Sequence, residues 1–139
     1  MENVSRVIGS ALYVSVGLIS LSMAYKNLIA RSYLPFHEKA AGWTWDEVDP
    51  GLQAVIIALM KLVGAGFLVA GMQLMGIAVL QLLHHDKAWG FFVPVYSLAF
   101  IAALALANLE LHRRTKAMTP WKASMWAFAI VAVGVVLSR

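Results

Sequence analysis

Few side chains in this sequence could do chemistry, and they gather around one long apolar run. Lys61 is the one full charge within the run that follows Asp49. An ammonium in such a run is costly to bury and marks either a paired charge or a functional group. The segment before the run carries His37-Glu38, Asp46-Glu47 and Asp49, and Glu110 and His112 lie beside a later basic cluster. Histidines and carboxylates together could ligate a divalent metal or exchange protons. Lys61, His37, Glu47 and Glu110 are therefore the candidate catalytic residues, and His37, Glu38 and His112 the candidate metal ligands. Their spacing matches no metal motif, so no metal site is predicted. Glu47 and Asp49 are equally explained as helix caps, and His37-Glu38 as solvated loop.

The depth of Lys61 follows from counting. It lies 23 residues before His84, and Glu110 lies 23 residues after Lys87. If the two apolar segments form an antiparallel hairpin around His84-His85-Asp86-Lys87, Lys61 and Glu110 share one level and can pair. The alternatives are a lysine that snorkels to the interface and a lysine that reacts or binds a ligand. Deeper in the same run, Gln73 shares a face with Gly66 and Ala70, where it can hydrogen-bond across a helix interface. Gln73, Lys61, Trp43 and Trp45 are the candidate ligand-binding residues for a small amphiphile. No cofactor is predicted. The methionines Met72 and Met75 are explained by packing rather than by haem ligation.

These residues need elements to position them, and composition says of what kind. The chain is 61% hydrophobic and 13% charged, with no cysteine. Its mean hydropathy is +0.76. A soluble domain is nearer about 45–50% apolar and about 25% charged. The apolar residues fall in blocks of roughly twenty, the span of a bilayer core. The reading is a single all-α membrane domain, an antiparallel up-down bundle of four transmembrane helices. The absence of cysteine excludes disulfides, thiolate metal sites and thiol catalysis. The net charge of +4 is a topology signal rather than nucleic-acid affinity.

The helices are expected at about 4–27, 50–83, 88–112 and 120–137, with an interfacial loop at 28–49. The first segment is longer than a usual signal core and is read as a retained helix. In the loop, Tyr33, Phe36, Trp43 and Trp45 have the character of an interface belt. Pro35 to Ala41 suits a short turn of helix, and Thr44 and Glu47 have the spacing of a capping box. Asp49-Pro50 is a helix start, with Asp49 as cap and Pro50 at the first helical position. A helix from 50 to 83 would exceed the bilayer core. Its first turns, with Leu52, Val55, Ile56, Leu59 and Met60, would project and need cover from the aromatic loop. Ala99, Ala103 and Ala107 form a small-residue row expected to meet Gly66 and Ala70. Thr119 is the expected cap of the last helix.

Seven Lys and Arg (Lys26, Arg31, Lys39, Arg113, Arg114, Lys116 and Lys122) fall on one side, and three (Arg6, Lys87 and Arg139) on the other. The positive-inside rule then places the first and third loops in the cytoplasm and both termini outside a cell (inner) membrane.

The length, the four spans, the long first loop holding aromatic and Pro residues, and the Gly-rich second helix (Gly64-Ala-Gly66, Gly71, Gly76) resemble the DoxX-like class of small bacterial four-helix membrane proteins, and Pro35-Phe-His-Glu followed by Trp45-Asp-Glu-Val-Asp-Pro50 resembles bacterial membrane proteins of uncharacterised function. The resemblance implies an architecture and brings no activity with it. The leading expectation for function is a non-enzymatic membrane module. It would be an accessory subunit of a larger membrane complex or a bundle that holds a lipid-like ligand. The alternatives are a membrane enzyme acting on a lipid or quinone-like substrate at the cytoplasmic interface, and a protomer of a homo-oligomeric transporter. Membrane lipids are the expected partners, and nucleic acid is not.

Overall fold

The computed structural model describes residues 2–83 and 94–138. The His84-His85-Asp86-Lys87 turn and residues 88–93 of the expected third helix lie outside the described residues. Every secondary-structure element among the described residues is helical: α1 (Glu2–Leu28), α2 (Pro35–Ala41), a 3-10 turn (Trp45–Glu47), α3 (Pro50–Leu83), α4 (Val95–Thr115) and α5 (Trp121–Leu137). Three of them, α1, α3 and α4, are long and apolar enough to cross a membrane. At 17 residues, α5 reaches only about 25 Å, against about 30 Å of hydrocarbon.

The dominant packing is α1 against α3. Buried Gly9, Ser10, Tyr13, Val16, Gly17, Ser20, Ala24 and Asn27 recur every three to four residues along α1, which makes one helix face. The register is antiparallel. Ser10 donates to Gln81 Oε1 at 3.1 Å, Gly17 lies against Gly71 and Met75, and Gly64 against Asn27 and Leu28. Glycine is required at the middle of this seam. A Cβ on Gly71 would sit 2.9 Å from the Leu21 side chain and 3.1 Å from the Gly17 carbonyl oxygen. At the far end of α1, Gly134 of α5 accommodates the Tyr13 ring. Tyr13, Val16, Leu74, Ile77, Ala78, Ile101 and Val131 form the main core.

The serines divide by environment. Ser15 and Ser22 are exposed and donate to their own helix at Ala11 O (2.8 Å) and Leu18 O (3.0 Å). That back-bonding satisfies a hydroxyl where neither water nor a neighbouring helix does. Ser10 and Ser97 instead bond across helix interfaces.

Contact between α3 and α4 is thinner than the sequence implied. The expected Ala99, Ala103 and Ala107 row is exposed, and Ser97, Ile101 and Ala105 face inward instead. The reason is Phe100, whose ring occupies the space above Gly66 and meets Phe67 edge-on at 5.1 Å. A bulky ring fills the gap that a small-residue row would have closed. The described part of the third helix begins at Val95, with Pro94 at its cap position. Thr119 does not cap α5. Its hydroxyl donates to the Asn108 carbonyl at 2.7 Å and ties α4 to the start of α5.

Candidate functional site

The loop between α1 and α3 folds back on the first turns of α3. Leu34 precedes α2, Pro35 opens it, and Gly42 closes it in the left-handed region at φ 75°, where a side chain would be strained. The Thr44 N–H and hydroxyl both donate to the Glu47 carboxylate, at 2.8 and 3.0 Å. These bonds hold the Glu47 carboxyl below its ordinary range, the backbone bond contributing most. Asp49 Oδ1 accepts the N–H groups of Gly51 and Leu52 at 2.9 and 3.3 Å, so it caps α3. Two of the expected acids are therefore structural.

Between these turns the aromatic residues make a lid. Buried Tyr33, Val48 and Met60 form a second small core, with Ala30, Leu34, Trp45 and Ile56 packed around it. The Tyr33 hydroxyl donates to the Trp43 carbonyl, and its ring meets Trp45 at 4.9 Å and 84°. Burial raises the Tyr33 phenol above its ordinary value, with smaller contributions from Glu38 and Glu47. The lid covers Ile56 and Met60, whereas Leu52, Val55 and Leu59 stay exposed.

Beside the lid is an open groove of about 480 Å³, lined by Arg31, Trp45, Pro50, Gln53, Ala54, Ile57, Ala58 and Lys61. The α1–α3 register explains why two cations meet there. Leu28 faces Gly64. Arg31 lies three residues past Leu28, and Lys61 three residues before Gly64 on an antiparallel neighbour. Both therefore reach about the same height above the seam. Both are exposed, and neither has a hydrogen-bond or ion-pair partner among the described residues. Gln53 is held in place by donating its Nε2–H to the Trp45 carbonyl at 2.8 Å.

The other expected site residues lie apart. Glu110 does not pair with Lys61. Its Oε1 accepts both Nε and Nη2 of Arg114, at 3.0 and 2.6 Å. Gln73 Oε1 accepts the Ser97 N–H at 2.9 Å and the Ser97 hydroxyl at 2.7 Å. Trp43 is exposed on the outside of the lid. His37 is half-buried, and desolvation lowers its imidazole below the ordinary value. The Nδ1–H of His112 donates to the Ala117 carbonyl at 2.7 Å, because a carbonyl can only accept. Among the described residues no three His, Asp or Glu side chains come together, and His37, Glu38 and His112 are not gathered at one point.

Lys61 and Trp45 were reachable from sequence; the groove was not, and Arg31 and Gln53 were not singled out. Their signal was available in the register of Gly64 against the end of α1, which no single segment displays. No protein-family model matches the chain, and no curated protein or solved structure matches it either.

Proposed function

We propose that this is a non-enzymatic integral membrane protein of the inner membrane that holds a lipid or similar amphiphile at its lidded end. The observation that carries the reading is the groove between the aromatic lid and α3. It has an apolar floor of Ala54, Ile57 and Ala58 and a cationic rim of Arg31 and Lys61. A volume of about 480 Å³ falls within the range of roughly 300–1,000 Å³ usual for ligand sites.

The non-enzymatic part of the reading rests on where the acids are. Glu47 and Asp49 hold backbone turns, and Glu110 holds Arg114. None of them converges with His37 or Lys61 on one reacting point.

In the proposed arrangement α5 is a fourth span of an up-down bundle. The meeting of Tyr13 with Gly134 and Ser138 supports placing both termini on one face. The lidded end faces the cytoplasm, because Lys26, Arg31, Lys39 and the basic turn after α4 gather there.

The test is native mass spectrometry of the full chain extracted from its own membrane in mild detergent. The expected result is a mass increment of one retained lipid that survives gentle activation. A lipid-free chain in stoichiometric complex with another protein overturns this reading in favour of an accessory subunit.

A further inference from the structure

The lipid-holding reading leaves open what kind of headgroup is held, and charge answers that. The groove presents a guanidinium and an ammonium, Arg31 and Lys61, with no acid lining it. Of the acids on the adjoining turns, Asp49 is engaged by the Gly51 and Leu52 N–H groups and Glu47 by Thr44, while the exposed Asp46 does not line the groove. Two cations at one height, without a counter-charge among the described residues, are a complement waiting for an anion. Arginine presents a planar fork that matches phosphate oxygens, and lysine adds a point charge.

The floor of the groove says what the anion is attached to. Pro50, Ala54, Ile57, Ala58 and Lys61 lie along one stripe of α3. The same stripe continues as Ala65, Leu68, Met72 and Gly76, at steps of three to four residues. All four are exposed. A Cβ at Gly76 would meet nothing within 4 Å, so the stripe is open along its length. It descends from the cations toward the middle of the span, the path an acyl chain takes below its headgroup.

We infer that Arg31 and Lys61 together seat the phosphate of a net-anionic phospholipid, whose acyl chain lies along Ala65, Leu68 and Met72 of α3. This rests on the lipid-holding reading above and adds a headgroup preference to it. A zwitterionic headgroup brings its own cation into a groove that already holds two, and is disfavoured. The phosphate could also come from solution as the free ion, and the test separates the two sources.

The full-length protein in mild detergent is titrated with phosphatidylglycerol, with phosphatidylcholine of the same chains, and with inorganic phosphate, and lipid adducts are read by native mass spectrometry. Phosphatidylglycerol is expected to be retained at least tenfold better than phosphatidylcholine. Arg31→Gln and Lys61→Gln each lower that preference roughly fivefold, as for a cation near an anionic lipid surface, and the double variant abolishes it. Inorganic phosphate at millimolar concentration leaves the lipid adduct in place.

Because both side chains are exposed, the variants keep the wild-type helical melting curve. Arg31→Lys with Lys61→Arg, which keeps both charges, retains a preference and separates loss of charge from loss of fold. Equal retention of the two lipids, or a preference that survives in the double variant, overturns the headgroup assignment while the lipid-holding reading stands. Displacement of the lipid by inorganic phosphate reassigns the site to a free anion and overturns it too. Retention of neither lipid removes both readings.

Discussion

Gln73 of α3 caps the start of α4: its Oε1 accepts the backbone N–H of Ser97 at 2.9 Å. Pro94, at the cap position, has no side-chain acceptor to offer the first N–H groups of that helix. The acceptor comes instead from a neighbouring helix. The Ser97 hydroxyl adds a second tie, lying 2.7 Å from the same oxygen and 3.1 Å from the Ala70 carbonyl. Since the described contact between α3 and α4 is otherwise thin, this cluster does much to fix where α4 begins.

Gln73→Leu is therefore expected to destabilise the protein by about 1–3 kcal/mol, the cost of leaving a buried N–H without a partner. Ser97→Ala should cost less, because the capped N–H survives the loss of the hydroxyl. Thermal melts of both variants in detergent check this ordering. Equal losses would mean that the hydroxyl, and not the cap, carries the contact.

The seam between α1 and α3 makes a second, paired prediction. A Cβ on Gly71 meets Leu21 at 2.9 Å and the Gly17 carbonyl at 3.1 Å, whereas one on Gly76 meets nothing within 4 Å. Gly71→Ala should force the helices apart and cost about 1–3 kcal/mol, as overpacking does. Gly76→Ala should be neutral or stabilise by roughly 0.5–1 kcal/mol, because glycine is the costlier residue in a helix interior. Unfolding in a denaturing detergent series, read by helical signal, gives both numbers. Matching effects at the two glycines would show that backbone propensity, rather than the seam, decides.

How much of this was legible follows from which interactions are local. The start of α3 at Pro50 and the Thr44–Glu47 cap could be read because each needs only residues within one turn. Helix class and approximate span followed from blocks of apolar residues. Facing was not legible, because α3 is apolar on every side and offers no polar stripe to mark its exterior. On α4, Ala99, Ala103 and Ala107 and Ser97, Ile101 and Ala105 have the same spacing, and only the Phe100 ring over Gly66 decides between them. The Lys61–Glu110 pairing assumed that α3 and α4 stay adjacent along their length. Arg114, one turn along the same helix, reaches Glu110 first. Arg31 beside Lys61 depends on the packing of Gly64 against Leu28, a contact between two helices that neither segment displays alone.

The lid over α3 makes a third prediction. Tyr33 closes it through one hydroxyl bond to Trp43 and one ring contact with Trp45. Tyr33→Phe keeps the ring and loses about 1 kcal/mol, the worth of one hydrogen bond. Tyr33→Ala removes the ring from above Met60 and should cost about 3–5 kcal/mol, as for other buried aromatics. The loss is expected to be local. Proteolysis of the 29–49 segment should accelerate strongly in Tyr33→Ala and slightly in Tyr33→Phe, with the emission of the half-buried Trp45 shifting to the red. A global loss of helix in Tyr33→Ala would show that the lid is needed for the bundle itself.

Acid should open the same lid in two steps. The His37 imidazole is held below its ordinary value of 6.5 by desolvation, so the folded lid favours the neutral ring. The unfolded segment takes up the proton first as pH falls. Stability is thus fully present above 6.5 and declines as pH drops from there through the lower value of the folded state. Glu47 acts in a separate window. Its carboxyl is held below its ordinary 4.5 by the Thr44 bonds, so its contribution is present above 4.5 and is lost as pH falls through the folded-state value. Protection of the 29–49 segment, followed by hydrogen exchange corrected for intrinsic rates, should therefore fall below pH 6.5 and again below 4.5. His37→Gln should flatten the first decline and leave the second, and Glu47→Gln should do the reverse. A first decline that persists in His37→Gln would assign the neutral-range sensitivity to another group.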